Sequence, residues 1–439
     1  EVFGQSDIGA LDFQPILATG YNHIIFYGQS LSLGAVSNEA ISTTAQTDCF
    51  MMGSNTQAVT GSFNPLKSVL NGNSGEQPVV NCINSLKKRT DRTHLSAAKY
   101  IGTSAGVGGK SIEVLSKGST NTSSQTTADN IYNTRFIQAL NTVATNVGTD
   151  PIVCPAIVWM QGEANQDPAD YADAGYTANP VSYQTHDKAQ YKAYLLTLKN
   201  DMKADIMSTY SQTSPPLFYI YQTSTYYTYS GEIPISQAQY EFAQENDDVV
   251  LLNPHYYVPT AQSGGGHLNA NGYRWYSEQI AKTMFKTLYD TTEFETVTVK
   301  KTKVEFDAIY LDCYVPVAPL NIDALTVEGA TNSGFQVTMD SVIQTIVSVT
   351  IVSSTAIKIK CTDDLSGATT LKVMYAGSNS NGVGNIRDSS TEVSFESYVD
   401  DTTLTNNTPP YTAVNVSGVN YYGKKYPLWN WLSNFNITL

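Results

Sequence analysis

The chain has 439 residues, 41% of them hydrophobic and 11% aromatic, which is enough to bury a sizeable core and too apolar for a disordered chain. Lys+Arg at 25 against Asp+Glu at 39 leaves a formal net charge of -14, and no run approaches the ~20 apolar residues of a membrane-spanning helix. Nucleic acid and membrane insertion are therefore excluded as partners, whereas a surface with only 15% charged residues and 29 Tyr suits neutral polar ligands such as sugars.

No basic region followed by an apolar stretch opens the chain, so no signal peptide is visible. Its start at Glu1, without Met, is what a processed or truncated product would show. Asn22–Tyr27 is a short apolar run followed by a Gly, and Ala97–Thr103 is a second, followed by a Gly-rich turn. Ile152–Met160 is the longest apolar run, with Pro155 marking a bulge or an early edge. Pro216–Gln222 and Val249–Asn253 are of the same kind. Continuous rather than alternating apolar strands predict a sheet covered on both faces. Between them, Ala128–Val147, Lys188–Ile206 and Ala270–Tyr289 carry apolar residues at helical spacing. The expected fold is a three-layer α/β/α domain with a mostly parallel sheet over residues 1–290, its ligands gathering at the carboxyl ends of the strands.

Near residue 291 the pattern changes. Seven β-rich segments between Glu295 and Tyr398, separated by turns rich in Gly, Asn, Ser and Asp, predict an all-β, sandwich-like module over 291–400. Residues 401–439 form a connector, Thr402–Pro410, and an aromatic C-terminal segment expected to pack on the β module or on a partner. The five cysteines form no C-x-x-C pair and no Cys/His cluster with zinc spacing, so they read as ordinary core residues and no metal site is expected.

Four points carry chemistry. Gly28-Gln29-Ser30 follows the first strand, where a turn serine is held exposed; alone, this is also an ordinary turn. Gly106-Val-Gly108-Gly109 follows the next strand, and its glycines allow a backbone N–H to approach a developing oxyanion. A phosphate-binding loop is rejected there, because Ser104 and Val107 stand where the two registers of that motif require Gly. Trp159-Met-Gln161-Gly-Glu163-Ala-Asn165 ends the most buried strand in polar groups, which are costly unless satisfied or functional. Gly264-Gly-Gly-His267-Leu-Asn269 precedes the last helix. Among the other histidines, His23 lies inside the first strand and reads as structural, and His255 is the one rival for a base. The order Ser30, Glu163, His267 follows nucleophile–acid–base logic: Ser attacks, His removes its proton, and the acid stabilises the imidazolium.

Together these blocks resemble the SGNH (GDSL-type) hydrolase superfamily, in particular the branch of sialate O-acetylesterases and carbohydrate acetylesterases. The first block reads Gly28-Gln29-Ser30, the third reads Trp159-x-Gln161-Gly162-Glu163, and the last is matched by His267, Asn269, Gly272 and Tyr273. The resemblance covers about residues 20–290. It implies Ser30 as nucleophile, His267 as general base, and an oxyanion hole from the N–H groups of Ser30 and Gly109 (or Gly108, one register away) and the Gln161 side chain. It implies a serine esterase removing O-acetyl groups from carbohydrate through an acetyl-serine intermediate, without metal or organic cofactor. The superfamily's usual acid, three residues before the His, is Gly264 here. Either a backbone carbonyl orients the ring of a Ser–His dyad, or another carboxylate serves, and Glu163 is the choice. Asn165, Tyr256 and Tyr257 are candidate substrate contacts. The missing acid keeps open a carbohydrate- or receptor-binding protein with an inactive or weak site, and an esterase for other acyl esters is a further alternative.

A looser similarity is to tailspike or tail-fibre esterases of bacterial viruses, suggested by the low charge, the wealth of Ser, Thr, Asn and Tyr, and the terminal YPLWNWLSNF segment. It implies acetylated surface polysaccharide as substrate, a virion-tail or extracellular location, and a homotrimer.

Overall fold

The computed structural model describes residues 17–119, 130–167, 185–223, 231–261, 266–324, 326–327, 330–377, 382–400 and 421–439. The connector Thr402–Pro410 and Gly264 lie outside them.

The first apolar run forms β1 (Tyr21–Gly28) at the centre of a seven-stranded sheet. Its neighbours are β2 (Cys49–Met52), β3 (Phe63–Pro65), β4 (Lys99–Ser104), β5 (Ile152–Met160), β6 (Leu217–Ile220) and β7 (Val249–Leu251), in the order β3-β2-β4-β1-β5-β6-β7. All pairings are parallel except that of β3 with β2. Successive β1 side chains enter opposite cores: Ile24 and Phe26 pack in one apolar cluster, Ile25 and Tyr27 in the other. That two-sided burial is why the strand reads as a continuous apolar run. Pro155 makes the predicted bulge: it has no N–H for the ladder, and the β1–β5 register slips between Asn22 and Ile24.

The two covering layers contain α1 (Pro78–Thr90), α2 (Ile112–Leu115), α3 (Gln138–Val147), α4 (Glu163–Gln166), α5 (Lys188–Tyr210), α6 (Pro234–Gln244) and α7 (Ala270–Leu288). α1 and α7 pack on one face, with the side chains of α3, α5 and α6 in the core of the other. α1, α6, β2 and β3 are absent from the sequence reading. β2 is only four residues long, too short for a periodic pattern, and α1 turns polar Asn81 and Ser85 inward, where both donate to the buried Glu278 carboxylate.

Beyond α7 lie two four-stranded antiparallel sheets that share an apolar core of Ile309, Leu311, Phe335, Val337, Ile357, Ile359, Val373 and Phe435. One sheet holds β8 (Thr298–Glu305), β9 (Ala308–Tyr314), β13 (Ile346–Ile351) and β14 (Ala356–Cys361). The other holds β11 (Phe335–Met339), β12 (Val342–Ile343), β15 (Leu371–Tyr375) and β19 (Phe435–Thr438). Between these come two minor pairs, β10 (Asn321–Ile322) with β16 (Ile386–Arg387), and β17 (Val393–Ser397) with β18 (Lys425–Pro427).

The C-terminal segment meets the β module through β19 and also reaches the α/β domain. It returns to the α/β domain and covers the outer side of α7 before β19 joins the sandwich. Trp275 Nε1 donates to Pro427 O at 2.8 Å, Gln279 Nε2 to Trp429 O at 2.6 Å, and Lys282 Nζ to Leu428 O at 2.7 Å. Trp431 is fully buried and stacks on Tyr257, with ring centroids 4.8 Å apart and planes 8° apart. β17, expected in the sandwich, lies here too, its Phe395 and Glu396 N–H groups donating to Glu278. The reason lies in α7: its Arg274, Glu278 and Lys282 are buried, and chain on the outer side must supply their partners. Trp431→Ala is expected to destabilise the whole molecule by about 3–5 kcal/mol. Urea unfolding followed by the fluorescence of the remaining tryptophans measures the effect, which should include the α/β domain.

Candidate active site

Gly28 ends β1 at φ +147, and a Cβ there would lie 2.1 Å from Met160 O, so only glycine lets the β1 and β5 ends approach this closely. Gln29 N then donates to Met160 O at 2.9 Å, and Ser30–Leu33 form a single 3-10 turn. Ser32 is buried and donates its hydroxyl to Gln29 O at 2.6 Å, whereas Ser30 is half-buried and faces out.

His267 arrives from the far side of the chain. Ala261 N donates to His267 O at 2.8 Å, and Asn269 caps α7 by accepting from Gly272 N at 2.8 Å. A Cβ on Gly272 would lie 2.2 Å from Pro259 O, and Tyr273 donates its hydroxyl to Ala35 O at 2.8 Å, tying α7 to the turn that begins at Ser30. His267, Asn269, Gly272 and Tyr273 thus form one device. Its result is a 2.7 Å contact between His267 Nε2 and Ser30 Oγ, across 237 residues of sequence, with both side chains half-buried. With its proton on Nδ1, the imidazole accepts from the serine hydroxyl at Nε2. The segment that precedes the ring, 262–265 with Gly264, lies outside the described residues.

The Gly-rich block packs directly on this turn. A Cβ on Gly106 would lie 2.3 Å from Ser32 Oγ and 2.5 Å from Gly28 O. One on Gly108 would approach Ser30 Cβ at 3.9 Å, whereas Gly109, at φ +68, is exposed and faces open space.

The third block divides. Gln161 is buried; its Nε2 donates to Asn165 Oδ1 at 2.7 Å and to Lys110 O at 3.2 Å, and its Oε1 accepts from the Tyr191 hydroxyl at 2.8 Å. Glu163 is buried with its carboxylate on the Tyr221 hydroxyl at 2.6 and 2.5 Å, and Oε1 stands 4.0 Å from His255 Nε2. Tyr221 follows β6 and His255 follows β7, so the Glu163 carboxylate meets the ends of the next two strands beyond β5.

Three expected substrate contacts have other work. Asn165 is fully buried: Oδ1 accepts from Gln161 and, at 3.0 Å, from Ile112 N, and Nδ2 donates to Glu113 at 3.1 Å and to Thr185 O at 3.2 Å. Its polar capacity is spent on bracing Gln161. Tyr257 is the ring stacked on Trp431, and Tyr256 donates to Leu432 O at 2.8 Å, at the junction with the β module. Periodicity cannot separate a loop tyrosine that meets ligand from one that meets the returning chain. The sequence reading missed the supporting roles of Gln29, Tyr191, Tyr221 and Glu113. Only Gln29 had a signal, its place next to Ser30.

Among the described residues no group of three or more His, Cys, Asp and Glu could hold a metal, and all five cysteines are buried thiols. His23 is buried between Tyr210 and Thr103, at 2.7 and 2.9 Å, and burial lowers it to about 3; burial lowers His255 to about 4.

The fold and this constellation define a class: an α/β domain with a Ser–His pair at the carboxyl edge of its central strand, joined to a β sandwich. No family model matches the chain, and no curated protein matches it by sequence. Solved structures do match. The chain is similar to XAC1771, a carbohydrate acetylesterase from Xanthomonas citri, with TM-score 0.55 and 13% identity over 95% of this chain and 80% of that one. It is also similar to NanS, with TM-score 0.40 and 12% identity over 64% and 100%, and to Est24, a carbohydrate acetylesterase from Sinorhizobium meliloti, with TM-score 0.34 and 10% identity over 60% and 97%. The first likeness extends over nearly the whole chain, so the α/β domain and the β module have a precedent as one fold.

The two buried neutral histidines set an acid limit. Below pH 6.5 the unfolded chain takes up protons that the folded chain refuses. Their stabilisation is therefore present above pH 6.5 and lost as pH falls toward 4 for His255 and 3 for His23. Buried Glu76 and Glu278, raised by burial, act in the opposite sense, so the comparison is between variants. Between pH 6.5 and 5 the parent chain is expected to lose about 1.5 kcal/mol more unfolding free energy than His23→Gln, as measured by denaturant titration at both pH values.

Proposed function

We propose that this protein is a serine esterase that removes O-acetyl groups from carbohydrate. The observation that carries the reading is the 2.7 Å contact between Ser30 Oγ and His267 Nε2 at a half-exposed strand-end turn. Ser30 Oγ attacks the acetyl carbonyl as His267 takes its proton. The tetrahedral adduct collapses to acetyl-Ser30 when His267 returns that proton to the departing sugar oxygen. Water, deprotonated by the same imidazole, then attacks the acetyl-enzyme, and the second adduct breaks its bond to Ser30 Oγ as His267 returns the proton to that oxygen, releasing acetate.

The N–H groups of Ser30 and Gly109 and the Gln161 amide are the proposed donors to the oxyanion. Gln161 would exchange its longer contact, to Lys110 O at 3.2 Å, for the developing charge. Glu163, held by Tyr221, is the proposed acid of the site. The choice of an acetylated sugar as substrate is supported by the sparsely charged, Tyr-rich composition and by the carbohydrate acetylesterase XAC1771 having this fold.

p-Nitrophenyl acetate hydrolysis tests the reaction and acetate release from O-acetylated polysaccharides tests the substrate. Ser30→Ala and His267→Ala are each expected to lose at least ~10³-fold in kcat, and polysaccharide saponified beforehand should release nothing. An unchanged rate in Ser30→Ala overturns the reading. Glu163→Gln reports on the acid: a loss on the order of 10⁴-fold puts it behind His267, and a loss below about 10-fold makes it a brace of the Gln161 turn.

A further inference from the structure

Gln29 is buried, immediately before the half-exposed Ser30, and both its backbone and its side chain are committed to the end of β5. Its N–H donates to Met160 O at 2.9 Å, while its side-chain Oε1 accepts from Ala164 N at 3.1 Å and from Gly162 N at 3.4 Å. On its other side, Gln29 O accepts from Ser32 N at 3.0 Å and from the Ser32 hydroxyl at 2.6 Å, which closes the turn that presents Ser30. A single residue thus spans the nucleophile's turn and the turn that carries Gln161 and Glu163.

The second turn cannot adapt around it. Gly162 has φ +154, and a Cβ there would lie 2.6 Å from Thr223 Cβ; Gln161 O is held by Gln239 Nε2 at 2.6 Å. Its two N–H groups therefore stay aimed at position 29, and a buried donor left without an acceptor is costly. Length and charge then select the residue. Once the backbone is anchored on Met160, Asn or Asp would fall one methylene short of both donors. A Glu would reach them, but it would bring a titratable charge into a buried position, where a charge is costly. A neutral acceptor of Gln length meets both requirements.

We infer that Gln29 is a positioning residue for hydrolysis, resting on the esterase reading above: its uncharged side-chain carbonyl holds the Ser30 turn and the Gln161–Glu163 turn in one frame. Gln29→Met keeps the shape and removes the acceptor. It is expected to lose about 100-fold in kcat on p-nitrophenyl acetate, with KM within about 3-fold and a melting temperature that falls, because two buried donors lose their acceptor, but stays above the assay temperature. Gln29→Glu keeps the acceptor and adds a titratable group. Its kcat is expected to fall relative to the parent as pH rises from 5 to 8, a change that a purely structural role would not produce. A Gln29→Met variant with parental kcat, or a Gln29→Glu variant whose pH profile parallels the parent's, overturns the inference while the esterase reading stands. A parent chain that neither turns over the ester nor is labelled at Ser30 by a fluorophosphonate overturns both.

Discussion

One hydrogen bond organises this molecule: that between Ser30 Oγ and His267 Nε2, whose partners stand 237 residues apart. Neither group could be held there by its own segment. The serine turn needs the end of β1 to lie against the end of β5, which Gly28 permits by having no Cβ to strike Met160 O. The histidine needs the start of α7 at the same rim, and Tyr273 secures it by its hydrogen bond to Ala35 O. Gly106 and Gly272 are two further close approaches of the same kind, each with backbone oxygen where a Cβ would stand. Gly28, Gly106 and Gly272 are therefore matters of clearance, and the precision of the pair follows from packed backbone rather than from loop conformation.

Around that bond lies a layer of buried polar groups, and the physics of burial explains its form. Polar side chains at the end of a buried strand must find partners or weaken the fold. Gln161 finds Asn165, Tyr191 and Lys110 O, and Asn165 in turn finds Glu113, Ile112 N and Thr185 O. Glu163 finds Tyr221. Each member removes alternative orientations from the next, so Gln161 is held in one orientation by its neighbours.

The same argument explains why the C-terminal segment belongs to the α/β domain. α7 is buried on both sides, although it carries Arg274, Glu278 and Lys282. Arg274 pairs with Glu396 at 2.6 Å, Glu278 receives Ser85 and the β17 backbone, and Lys282 donates to Leu428 O and Asn430. Burial lowers Lys282 to about 8, which marks how dry that interface is. The helix that begins just after the site histidine is thus clamped by residues more than a hundred positions downstream.

The sequence by itself determined the two-sided parallel sheet, the three long helices, the change to antiparallel β structure near residue 291, and the blocks around Ser30, Gln161 and His267. These follow from local quantities: apolar runs, helical spacing, and glycines beside polar residues at strand ends. The tertiary structure decided what each polar or aromatic residue faces. It made Asn165 a brace, turned Tyr256 and Tyr257 toward the returning chain, put Glu163 on Tyr221, and gave Gln29 its two donors. The physical reason is that a hydrogen bond or a ring stack depends on a partner brought up by another part of the chain, and no periodicity within a segment records which partner that will be.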